Sequence, residues 1–137
     1  MTYQEGEAII REDAKASGLF CLYEGKVKET RKGVDGNEQI VALKKPGDFM
    51  GFKALIQEQF HTTSAIALEP CTVCIIDKKD FFEVIGHNAR FSVEIIRELA
   101  KELEKANERL LGLTRKHMRL LNKLCQAKKS EKVLSLS

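Results

Sequence analysis

The sequence predicts a mainly β fold with α: a double-stranded β-helix (jelly roll), then a short helix, then a long C-terminal dimerisation helix. Three observations predict it. Residues 1 to about 77 hold short apolar segments separated by glycine and proline turns. Residues 78–85 read as one amphipathic helix. From residue 89 onwards a heptad pattern persists over four repeats.

The β part is punctuated at short intervals. Its apolar segments are residues 8–10, 19–23, 26–30, 39–43, 64–68 and 72–77. Between them stand Gly18, Gly25, the run Gly33-Val34-Asp35-Gly36-Asn37, the run Lys45-Pro46-Gly47-Asp48, and Glu69-Pro70. The run at 33–37 predicts a hairpin loop between two strands. Many short strands with regular turns predict a sandwich or small barrel. Gly86 is expected to end the helix over 78–85, with His87 and Asn88 capping the next one.

The long helix is expected from about Ala89 to about Leu124. Ile96, Leu99, Leu103, Ala106, Leu110, Leu113, His117, Leu120 and Leu124 are spaced alternately three and four apart. All but His117 are apolar, which is the seam of a coiled coil. Such a helix, ~35 residues at 1.5 Å each, is ~50 Å long. A roll of under 90 residues cannot cover it, so a parallel homodimer is expected. Gly112 lies inside the helix and marks a bend or a close approach. Residues 125–137 are expected to be a basic tail or a truncated linker, giving a division into 1–88, 89–124 and 125–137.

Composition narrows the function classes. Hydrophobic residues make up 43% and charged residues 31% of 137, which argues against disorder and against a membrane protein. No run approaches the roughly 18 apolar residues of a spanning helix, and the first residues lack a signal-peptide layout. A cytoplasmic protein with no membrane partner and reduced thiols is expected. The net charge is only +3, but Arg115, Lys116, Arg119, Lys123, Lys128, Lys129 and Lys132 face a single acid, Glu131, after Leu113. That run is a solvated helix end or a direct nucleic-acid contact. No nucleophile motif, phosphate loop or paired carboxylates appear, so no enzyme is expected.

Residues 46–65 have the pattern of a ligand cradle. A turn at Pro46-Gly47-Asp48 is followed by Gly51, an apolar turn and a polar run. The expected pocket residues are Gly47, Phe49, Met50, Gly51, Phe52, Lys53, Ala54, Leu55, Thr62, Thr63, Ser64 and Ala65. Phe49, Phe52, Leu55 and Phe60 would fill the pocket or line it for a small effector. Cys71 and Cys74 form a CxxC, but residues three apart on a strand face opposite ways, so no metal site is expected. Small buried residues are the expectation there, Cys74 above all. Cys125 is expected to be an exposed thiol. No cofactor is expected.

The order of roll, short helix and long helix resembles the Crp/Fnr family of bacterial transcription regulators. Residues 18–52, "GLFCLYEGKVKETRKGVDGNEQIVALKKPGDFMGF", are similar to its central strands. Residues 64–85, "SAIALEPCTVCIIDKKDFFEVI", are similar to the next two strands and the short helix. The resemblance covers residues 3 to about 124 and implies several things. Asn107 and Leu110 would face the roll near the cradle, although Asn107, one step off the seam, could equally face solvent. A helix-turn-helix domain would follow the long helix, so this chain would be a sensing and dimerisation fragment that reaches DNA only through a C-terminal domain outside it. An N-terminal lead-in would be missing too. Members that bind cyclic nucleotides hold the ribose with a glutamate and the phosphate with an arginine; Phe52 and Thr63 stand at those positions here. Tight binding of cyclic AMP or cyclic GMP is therefore not expected, because a buried phosphate needs a charged partner. Members with an iron–sulfur cluster carry an internal cysteine matched by Cys74, but no cysteine precedes Cys21. Members with haem use histidine, and this chain offers only His61 by the cradle, His87 and His117.

Overall fold

A computed structural model of the chain describes residues 1–136, with side chains described to residue 131. Eight strands come first: β1 (Thr2–Tyr3), β2 (Ala8–Ile10), β3 (Gly18–Glu24), β4 (Val27–Lys32), β5 (Glu38–Lys44), β6 (Phe49–Met50), then β7 (Ser64–Ala67) and β8 (Cys71–Asp77). A five-residue helix, α1 (Phe52–Ile56), interrupts them between β6 and β7; α2 (Lys78–His87) and α3 (Ala89–Leu136) follow. The strands form two antiparallel four-stranded sheets, ordered β1-β8-β3-β6 and β2-β7-β4-β5. This is the expected jelly-roll arrangement.

The core lies between the sheets: alternate residues of β3, β7 and β8 face inward, whereas Ile9 and Ile10 are buried side by side at a register shift in β2. One sheet contributes Phe20, Leu22, Met50, Cys71 and Val73; the other contributes Ile9, Ile10, Val27, Ala65 and Ala67. The expected hairpin joins β4 to β5, with Lys32 opposite Glu38. Gly33 N–H donates to the Asn37 carbonyl at 2.8 Å, and the Asp35 carboxylate accepts from Asn37 N–H at 3.0 Å. Strands β1 and β6 were not expected from the sequence; at two residues each, neither shows a period.

Asp77 caps α2, its carboxylate accepting from Asp80 N–H at 2.8 Å. Phe81 is fully buried and meets Phe82 edge to face at 5.4 Å. Gly86 does not end this helix. The chain stays helical through His87, and Asn88 N–H closes it onto the Val84 carbonyl at 2.8 Å. His87 therefore sits in the last turn of α2, not at the start of α3.

The chain divides into two compact units, residues 1–88 and 89–137. The second is α3, which continues beyond the expected end at Leu124 to Leu136. The apolar seam stops near Leu124, but residues 125–136 contain no glycine or proline and several good helix formers, so nothing breaks the backbone pattern. Residues 125–136 therefore continue the helix. The helical backbone also continues without interruption at Gly112. Residue 137 lies outside the described residues.

Candidate functional site

The cradle begins with a tight turn. Asp48 N–H donates to the Lys45 carbonyl at 3.0 Å, with Pro46 second and Gly47 third at φ 96°. This is a type II turn, which needs a positive φ at the third residue. The Asp48 carboxylate accepts from Lys45 N–H at 2.9 Å. Leu22 of β3 clamps the turn: its N–H donates to the Asp48 carbonyl at 3.0 Å, and its carbonyl accepts from Gly47 N–H at 2.8 Å.

Gly51 then starts α1 with φ 80°. A Cβ here would lie 3.1 Å from the His61 ring, 3.2 Å from Ile10 and 3.3 Å from Phe20. Two constraints, handedness and space, thus require glycine. The same contacts show that the two halves of the cradle meet, since His61 precedes the polar run and Ile10 pairs with Ala65. The segment 13–16 laces the approach: Asp13 N–H donates to the His61 carbonyl at 2.8 Å, and His61 N–H to the Ala14 carbonyl at 2.9 Å.

The expected pocket residues divide between inside and outside. Met50, Phe52, Ala54, Leu55 and Ala65 are buried, Phe52 with 2% of its surface exposed. Phe49, Thr63 and Ser64 are half-buried, while Lys53 and Thr62 are exposed. The Ser64 hydroxyl is occupied, accepting from Glu12 N–H at 2.8 Å. Phe60, expected to fill or line the pocket, is instead 62% exposed; its one-residue bridge to Lys15 leaves the ring outside. Asn107 is an exposed residue of α3 in the other unit.

The electrostatics of the cradle are sparse. From Gly47 to Ala65 its basic side chains are Lys53 and His61. His61 is buried, and burial pushes its pKa below the usual histidine value, so it is neutral at pH 7. The buried polar residues beside this segment are His61 itself and, on β4, Glu29 and Thr30, which pair with Ala65 and Ser64; no arginine lies between Gly47 and Ala65 to grip an anion with two bonds.

The cysteines separate as strand parity requires, with one correction. Cys71 is the buried member of the CxxC, and Cys74 is exposed. The Cys71 thiol donates to the Lys26 and Glu69 carbonyls at 3.3 and 3.1 Å. Among the described residues, no group of three His, Cys, Asp or Glu side chains is placed to hold a metal ion. Cys125 is exposed.

On α3, Ile96, Leu103, Leu110, Leu113, Leu120 and Leu124 each keep between 61% and 64% of their surface exposed. Leu99 is half-buried, and Ala106 and His117 are exposed. A second series escaped the sequence reading. Leu111, Thr114, Met118, Leu121 and Cys125 repeat the same three-four spacing one position further on. Counting from Leu111 as well as from Leu110 would have found it. Among the described residues, no helix is long and apolar enough to cross a membrane.

Residues 1–88 match the cyclic nucleotide-binding domain family, and the chain belongs to that family. Its relatives include bacterial regulators of the Fnr and catabolite-activator kind. It is 28% identical over 114 residues to the fumarate and nitrate reduction regulatory protein of Vibrio cholerae, covering 83% of this chain and 45% of that protein. It is 38% identical over 87 residues to human cGMP-dependent protein kinase 2, covering 61% of this chain and 11% of that protein. Among solved structures, the Thermus thermophilus catabolite activator protein superimposes with a TM-score of 0.77 at 25% identity, over 83% of this chain and 54% of that one. The chain thus spans less than half the length of the bacterial regulator it matches.

Proposed function

We propose that this chain is the effector-sensing and dimerisation part of a Crp/Fnr-like transcription regulator, working in the cytoplasm. The observation that carries the proposal is the long helix, attached to a cyclic nucleotide-binding roll, with six large apolar seam residues bare in the single chain. Two copies pair along that seam. An effector bound at residues 47–65 biases the packing of the helix pair, and DNA is reached through a further domain beyond it. The effect is a population shift driven by differential contacts in the two states.

The effector is not cyclic AMP or cyclic GMP. The apolar, buried Phe52 stands where a ribose-holding glutamate is needed, and neutral Thr63 where a phosphate-holding arginine is needed. Isothermal titration of the chain with both nucleotides, beside a thermal-shift screen of small metabolites, tests this. The expected result is no cyclic-nucleotide heat and a shift with another compound. Micromolar cyclic-nucleotide binding would overturn it. A second reading is a stand-alone pairing module with a vestigial pocket. The burial of Phe52 and Leu55 favours it, because side chains then occupy the cradle themselves. A dimer that responds to no compound in the screen would support that reading over the first.

A further inference from the structure

Cys21 on β3 and Cys74 on β8 stand directly opposite each other in the antiparallel ladder. The neighbouring hydrogen bonds fix which kind of pair they form. Leu22 directs its N–H and carbonyl to Asp48 and Gly47, away from β8. Val73 directs both of its groups to Met1, away from β3. Backbone groups alternate along a strand, so Cys21 and Cys74 turn theirs toward one another. They are a hydrogen-bonded pair, with Cα atoms about 5.5 Å apart. That separation lies inside the roughly 4.4–6.8 Å that disulfides span. Facing residues project from the same side of a sheet. Phe20, Leu22 and Val73 occupy the core side, which leaves both thiols on the outer side, Cys21 half-buried and Cys74 exposed.

We propose that Cys21 and Cys74 form a reversible cross-strand disulfide when hydrogen peroxide oxidises them. The exposed Cys74 thiolate attacks the peroxide oxygen; the O–O bond breaks, and with one proton the leaving oxygen departs as water. Cys74 is then a sulfenic acid. The Cys21 sulfur attacks the Cys74 sulfur, the S–S bond forms, the S–O bond breaks, and the released hydroxide leaves as water with the Cys21 proton. Two thiols are oxidised and one hydrogen peroxide is reduced to two waters.

Burial first, and the nearness of Cys74 second, raise the Cys21 pKa to about 11. Cys21 therefore waits as a thiol, and the exposed partner reacts first. Cys71 takes no part, since its thiol faces the core and is hydrogen-bonded to two carbonyls. In a hydrogen-bonded pair the Cβ atoms sit toward the wide end of roughly 4.5–5.5 Å. A relaxed disulfide brings them to about 3.8 Å. The closed bond is therefore strained and easily reduced, which suits a switch better than a permanent staple.

The experiment treats the full Cys125→Ser chain, which cannot link through that thiol, with hydrogen peroxide. Free thiols are counted and the peptides mapped without reduction. The expected result is loss of two thiols per chain, a peptide linking Cys21 to Cys74, and full recovery with millimolar glutathione. In Cys21→Ser, Cys74 should accumulate as a sulfenic acid trapped by a dimedone probe. In Cys74→Ser, Cys21 should stay reduced. Persistence of both thiols in peroxide overturns the proposal. So does a link through Cys71, or unchanged oxidation of Cys21 in Cys74→Ser.

Discussion

Replacing Leu110 by lysine should separate two copies of the chain. In the single chain Leu110 keeps 64% of its surface exposed, in line with its seam neighbours. Full burial of a leucine side chain is worth about 1.5–3 kcal/mol. The part still exposed is then worth about 1–2 kcal/mol, and a symmetric seam loses it twice, about 2–4 kcal/mol for each dimer. That alone weakens the dimer by about 30- to 700-fold, before the repulsion of two facing ammonium groups. Sedimentation equilibrium of wild type and variant reads the dissociation constant directly. Leu111→Lys is the control, because Leu111 is 51% exposed but points about 100° away around the helix. Its effect should stay within about threefold, well under 1 kcal/mol. A larger effect from Leu111→Lys would move the interface to the second stripe, Leu111 to Cys125. No effect from either would mean that α3 is not the interface.

Gly51→Ala should cost about 2–4 kcal/mol by urea unfolding, from the left-handed backbone and the contacts with His61, Ile10 and Phe20. Gly47→Ala should cost only about 1–2 kcal/mol, since open space surrounds that position; equal costs would show that the neighbours of Gly51 give way freely. The depressed His61 pKa makes stability pH-dependent. The unfolded chain takes up a proton near 6.5 that the folded chain refuses, so stability is full above that pH and drains below it. The slope is at most about 1.4 kcal/mol per pH unit, and His61→Gln should flatten it in urea melts between pH 5 and 7. Gly112→Ala should stabilise the helix by about 1 kcal/mol, because a Cβ there meets nothing within 4 Å; weakened dimerisation in the same variant would reveal a second chain close to that point.

The sequence showed those parts of the fold whose causes are local. The β4–β5 loop carries its own turn chemistry in Gly33 to Asn37, and the α3 seam carries its own period. Strands β1 and β6 have no local cause; they exist because β8 and β3 offer them an edge. The end of α3 lies beyond the expected one because the seam and the helix are two signals: the apolar period ends near Leu124 and helix propensity does not. Strand parity put Cys71 and Cys74 on opposite faces, yet it cannot say which face is the core. That choice is made by the pairing of β8 with strands far away in sequence. The opposition of Cys21 and Cys74, 53 positions apart, depends on the same long-range register and leaves no trace in either local string.

Positions 52 and 63 allow a sharper test of the cradle than ligand screening. Phe52→Glu places a carboxylate in a site that is 2% exposed. Alone it should cost about 4 kcal/mol or more, from lost burial and from a charge without a partner. Thr63→Arg alone changes a half-buried residue and should cost well under that, about 1 kcal/mol. Their combination depends on geometry. If the Gly51 turn and the start of β7 converge on one cavity, the guanidinium neutralises the carboxylate. The double variant should then be more stable than the sum of the singles by about 1–3 kcal/mol. It should also gain measurable affinity for cyclic AMP, since the two polar grips are restored together. A coupling below about 0.5 kcal/mol would mean independent sites. In that case Phe52 is an ordinary core residue, and the cradle never contained an anion pocket for those side chains to share.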